Sequence, residues 1–119
     1  MPIAARWRKL ERLPAPRGRD AMPGVYELAD AEKCVVYVGQ SARDVPDRIR
    51  QHLAVEGCVA AHAVYWRYQY SRVPQADEAR LLAVFQDRHE GALPLCNRAT
   101  PIPRDVERRR RERFGFTRD

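Results

Sequence analysis

Two short runs of β-forming residues joined by a polar connection constrain this chain more than any other feature. Residues 25–29 (VYELA) and 34–38 (CVVYV) flank residues 30–33 (DAEK), which have the composition of a tight turn. The pattern predicts an antiparallel hairpin. Pairing that is symmetric about a two- or four-residue loop puts Ala29 opposite Cys34, Leu28 opposite Val35, and Tyr26 opposite Tyr37. Directly opposed residues share a face with Cβ atoms ~5 Å apart, so the two tyrosines are expected side by side. Slipping the register by one residue would separate them. Gly24 and Gly39 bracket the pair.

Downstream, Gly39-Gln40-Ser41 ends the hairpin, and Asp44 is a good N-cap for a helix that tolerates Pro46 in its first turn. Val45, Ile49 and Leu53 form its apolar stripe, flanked by Arg48 and His52 one turn apart. Residues 54–63 read as a loop or frayed helix. Residues 64–70 (VYWRYQY) predict a third strand. One face of it is expected in the core, with base stacking by Trp66, Tyr68 and Tyr70 as the alternative. Residues 75–88 predict a helix burying Leu81, Leu82 and Phe85, with Glu78 three and four residues before the first two and turned toward that face. Residues 93–97 are expected to run extended. The fold class that results is α/β in the α+β sense, a small three-stranded, mainly antiparallel sheet flanked by helices. A basic lead-in (1–21, with a short helix ending before Pro14), a folded body (22–103) and a basic tail (104–119) divide the chain.

Composition narrows the function classes. The 45% hydrophobic content is ordinary for a globular domain, so the body is expected to fold. No apolar run approaches the ~20 residues of a membrane span, which excludes that partner. Three cysteines without close pairing, Cys34, Cys58 and Cys96, suggest a reducing, cytoplasmic setting. The net charge is +6. It is concentrated at the two ends, around a nearly neutral body, which suits a polyanionic partner.

The Gly24-Val25-Tyr26 and Tyr37-Val38-Gly39 triplets, followed by Arg48, His52, Glu78 and Asn97 in that order, resemble the signature of the GIY-YIG nuclease superfamily. The resemblance spans about residues 22–100. It implies a GIY-YIG nuclease-like fold and hydrolysis of phosphodiester bonds in nucleic acid, with DNA ahead of RNA as substrate. It further implies that Glu78 holds a single Mg²⁺ (or Mn²⁺), a cation that tolerates few protein ligands. Arg48 would stabilise charge gathering on the phosphate. Tyr26, Tyr37 and His52 would manage the attacking water and its proton, the base among the three being open. Gly24, Gly39 and Asn97 would support the site. Eight residues separate Gly39 from Arg48, one more than the usual spacing, which leaves Arg50 or Arg43 as substitutes for the arginine role. Arg50 and the run Arg108, Arg109, Arg110 and Arg111 are candidate backbone contacts, and specificity would come from the tail, a loop, an oligomer or a targeting partner.

Plainer readings exist for each residue. A tyrosine in a strand, a histidine on a helix surface and a glutamate in a first helical turn need no catalytic explanation. The alternative for the whole chain keeps the fold as a catalytically degenerate nucleic-acid-binding module. A zinc-stabilised interaction domain built on Cys58 and His62, with Cys34 and Cys96 from elsewhere in the chain, is a third possibility, and no CxxC motif supports it.

Overall fold

The computed structural model describes residues 3–14 and 22–99. The predicted hairpin is present as β2 (Gly24–Ala29) and β3 (Val35–Ser41), with antiparallel pairing. Its register differs from the symmetric expectation by two residues. Tyr26 lies opposite Gly39 and Leu28 opposite Tyr37, and the pairing then jumps to Ala29 opposite Val35. Two local features cause this. The turn is an odd-length one: Asp30 and Cys34 close it, the Asp30 carboxylate accepts from the N–H groups of Glu32 and Cys34, and Lys33 takes a left-handed conformation with φ 66°. Val36 is then left over as a bulge. Because strand side chains alternate with a period of two, a two-residue displacement keeps both tyrosines on one face. They are diagonal neighbours rather than opposite ones, with ring centroids 6.1 Å apart.

β3 leads into α1 (Val45–Leu53) as predicted, Asp44 capping it by accepting from Asp47 N–H, with Pro46 in the first turn. A short α2 (Cys58–His62) fills part of the stretch that lacked a clear pattern. The chain continues as β4 (Tyr65–Tyr70) and α3 (Pro74–Arg88). The segment expected to be extended around residues 93–97 instead ends in a helical turn, α4 (Leu95–Ala99). Pro94 starts it well, having no N–H to leave unpaired, and its carbonyl accepts from the N–H groups of Asn97 and Arg98.

The sheet has four strands rather than three. The extra one, β1 (Arg8–Lys9), comes from the lead-in, where a helix was expected; only a 3₁₀ turn at Leu10–Arg12 follows it. Strand order is β1-β4-β2-β3, antiparallel throughout. β4 would otherwise present an open row of backbone donors and acceptors. Arg8 and Lys9 pair with Trp66 and Tyr65, and Leu10 N–H continues the contact to the Val64 carbonyl. Ile3 and Leu10 are buried, so this lead-in belongs to the folded body.

Period-two alternation sends the sheet's residues into two cores. Tyr26, Leu28 and Trp66 face α1 and α2, packing with Val45, Ile49 and Val59. Val25 and Val38 face the other way, toward Leu81 of α3 and Ile3. α1 and α2 therefore cover one face and α3 the other, and β3 is left as the sheet edge between them. Cys58 and Cys96, expected as unpaired thiols, form a disulfide linking α2 to α4, with Cα atoms 5.4 Å apart. Helix packing at the β3 end brings together cysteines 38 positions apart, which sequence spacing could not show. Cys34 is free and exposed. No helix among the described residues is long and apolar enough to cross a membrane.

Candidate functional site at the open sheet edge

The two glycines of the triplets are explained by space. A Cβ on Gly39 would sit 2.5 Å from Cζ and Oη of Tyr26 and 2.8 Å from the Tyr37 ring. Gly39 is opposite Tyr26 in the register, so the phenol lies across the bare backbone of its partner strand. A Cβ on Gly24 would lie 2.2 Å from the carbonyl oxygen of Gln69 on β4. Both positions need the missing side chain to let neighbouring groups approach.

That packing fixes the tyrosines. Tyr26 is fully buried (0% exposed), whereas Tyr37 is half-buried and meets His52 of α1 edge-on, ring centroids 5.0 Å apart. Burial pushes the Tyr26 hydroxyl well above the usual tyrosine range, the adjacent Tyr37 adds to this, and Arg48 acts against it. Tyr37 is also raised, by burial first and then by the Glu78 carboxylate, again opposed by Arg48. His52 is lowered, by burial and by the Arg48 cation, so it is neutral at neutral pH. Glu78, in the first turns of α3, is raised by burial and partly held down by Arg48. Each of these groups feels another's charge. The fold brings Tyr26, Tyr37, Arg48, His52 and Glu78 from β2, β3, α1 and α3 within reach of one another's charge. Arg48 itself is exposed.

Asn97 sits behind the site. Its Oδ1 accepts from Val38 N–H at 2.8 Å and its Nδ2 donates to the Val38 carbonyl at 3.0 Å. Val38 lies between the two triplet residues Tyr37 and Gly39, on the edge strand. One amide side chain thus satisfies both backbone groups that a further strand would otherwise take. Arg50 does not join the cluster. Its guanidinium hydrogen-bonds the Pro14 carbonyl and pairs with Asp47 at 3.6 Å, which ties the lead-in to α1. The run Arg108–Arg111 lies outside the described residues. Cys58 is bonded to Cys96, so its thiolate is not available to a zinc ion alongside His62.

A groove of about 740 Å³ opens beside Arg48, between the β3–α1 connection and the start of α3. Gln40, Arg43, Gln51 and Gln75 line it together with Arg48. Sequence reasoning singled out only the two arginines among these. Surface glutamines have no periodic or spacing signal, and only the fold shows that three of them share one groove.

A family model covering residues 1–88 matches the sequence. The chain belongs to the family described as a domain of unknown function, DUF7508. The matched span includes β1 from the lead-in and all five clustered side chains, and stops before α4 and Asn97. No curated protein matches the chain.

Proposed function

We propose that this protein is a metal-dependent endonuclease that hydrolyses phosphodiester bonds in nucleic acid, with DNA ahead of RNA as substrate. The observation that carries the reading is the convergence of Tyr26, Tyr37, Arg48, His52 and Glu78, from four separate elements, on one edge beside an open groove.

The residues fit a hard divalent cation. Glu78 is partly desolvated, which disfavours its carboxylate, and the three ion pairs among the described residues (Arg50–Asp47, Arg67–Glu27 and Arg80–Asp77) leave it out. A carboxylate left short of both water and partners is the donor that a Mg²⁺ ion, keeping several of its own waters, asks of a protein. The one cluster of three potential ligands among the described residues, Asp30, Glu32 and Cys34, lies at the hairpin turn, and its Asp30 carboxylate already closes that turn. Glu78 would hold the metal; when bound, Mg²⁺ or Mn²⁺ supplies Lewis-acid polarisation of the phosphate.

The chain's own groups supply the rest. Arg48, exposed and outside every ion pair among the described residues, stabilises the charge that builds on the phosphate oxygens as water attacks phosphorus and the ester P–O bond breaks. His52 is neutral at working pH, so a ring nitrogen accepts the water's proton. Tyr37, protonated because its pKa is raised, orients that water from beside His52. Tyr26 is too buried to meet water and acts by holding Tyr37 in place.

The test is Mg²⁺- or Mn²⁺-dependent nicking of plasmid and branched DNA. Cleavage should be lost in Glu78→Gln and Arg48→Ala variants. A wild-type protein that binds DNA and never nicks it with either metal would sink the proposal.

A further inference from the structure

An exposed tyrosine, Tyr70, stands two strands across from the groove beside Arg48. Residues 22–24 are stitched to α1 on one side, where Met22 N–H donates to the Asp44 carboxylate at 2.8 Å and Val45 N–H to the Met22 carbonyl. On the other side they are stitched to the end of β4. The Tyr68 hydroxyl donates to the Pro23 carbonyl at 2.8 Å, Ser71 N–H reaches the same carbonyl, and Tyr70 pairs with Gly24. Tyr70 shares the face of Tyr68, which is the face that α1 covers further along. Gly24 pairs with the groove residue Ser41 on one side and with Tyr70 on the other, so Tyr70 stands in line with the groove, three residues before Val73, which lines it. Tyr70 and the groove residue Val73 are each 59% exposed.

The charge along this track suits a polyanion. Asp44 and Asp47 line the groove, but both are engaged locally: Asp44 accepts from Met22 and Asp47 N–H, and Asp47 faces Arg50 and Gln51. Arg43 and Arg48 have no ion-pair partner among the described residues. Two such cations with an exposed aromatic two strands away form a combination that single strands use. Phosphates follow the cations, and a base, unpaired and free to turn, stacks on the ring. A duplex keeps its bases inside and gives Tyr70 nothing to stack on.

We infer that this groove is a single-strand subsite, in which a nucleic-acid strand lays its phosphates over Arg43 and Arg48 and stacks one base on Tyr70. The assignment rests on the nuclease reading above, since it directs the enzyme toward single-stranded stretches, such as flaps and branch points, of its substrate.

Fluorescence anisotropy with a short labelled oligothymidylate, and with a blunt duplex of equal length, tests this without chemistry, using the Glu78→Gln protein in EDTA. The single strand should bind more tightly. Tyr70→Ala should weaken single-strand binding roughly 5- to 150-fold, the range of one base–aromatic stack, and leave duplex binding unchanged. Tyr70→Trp should retain it. Arg43→Ala should lower the slope of log affinity against log salt by about 0.7, one phosphate contact on a single strand. Equal affinity for duplex, or an unchanged affinity in Tyr70→Ala, overturns the subsite. Binding that follows these expectations in a protein that never cleaves with Mg²⁺ supports the subsite and overturns the nuclease reading alone.

Discussion

Replacing Asn97 by alanine removes one side chain and leaves two backbone groups of Val38 without partners. Both hydrogen bonds are of good length, 2.8 and 3.0 Å, and Val38 is fully buried on an edge strand with no further strand on that side. A buried donor or acceptor left unsatisfied costs about 1–3 kcal/mol, and water entering the vacated amide position recovers part of that for two adjacent groups. The net loss should be about 2–4 kcal/mol, which for a domain of this size lowers Tm by on the order of 10 °C. An aspartate is a sharper probe. It can still accept from Val38 N–H, but its second oxygen then faces the Val38 carbonyl where Nδ2 used to donate. Only the protonated acid restores that bond, so the fold raises the pKa of this carboxyl above its unfolded value of about 3.9. For a group raised in the folded state, the stabilising contribution is complete below the unfolded value and is lost as the pH rises through the folded one. The Asn97→Asp protein should therefore approach wild type near pH 4 and match or exceed the alanine defect at pH 7. Urea unfolding of the three proteins at both pH values measures this. An alanine variant within about 0.5 kcal/mol of wild type, or an aspartate defect that does not grow with pH, would refute the clamp.

Three further outcomes follow from the same geometry. Gly39→Ala places a methyl 2.5 Å from the Tyr26 phenol. It should destabilise by about 1–3 kcal/mol through overpacking and abolish cleavage by displacing both tyrosines, read by denaturation and nicking assays; a stable, active variant would refute the packing argument. Because burial raises the Glu78 carboxyl, its charged form opposes folding above the folded-state pKa and not below the unfolded one. Glu78→Gln should thus be more stable than wild type at pH 7 and lose that advantage on acidification, while Mg²⁺ should raise the Tm of wild type alone; equal shifts with Mg²⁺ in both proteins would remove Glu78 as the ligand. His52, held low by burial and Arg48, should titrate below the ordinary histidine range by NMR and move up toward it in Arg48→Met; no upward movement would separate the two residues.

Local signals determined much of this protein. The hairpin strands, the Asp44 cap, the apolar stripe of α1 and the helix carrying Leu81 each depend on residues within a few positions of one another, so propensity and periodicity reveal them. The order of the two triplets, Arg48, His52, Glu78 and Asn97 was legible as well, since order along the chain needs no fold. What required the tertiary structure was every relation between distant parts. The two-residue displacement of the hairpin arose from an odd-length turn plus a bulge, and it moved Tyr26 onto Gly39, turning a glycine that looked like punctuation into the surface on which the phenol rests. Arg8 and Lys9 became a strand because β4 offered an open edge, not through any pattern of their own. Arg50 and Arg48 are both arginines on one short helix, yet a carbonyl from the lead-in engages one and leaves the other exposed. Sequence names the charged groups, and packing decides which of them are engaged and which stay exposed.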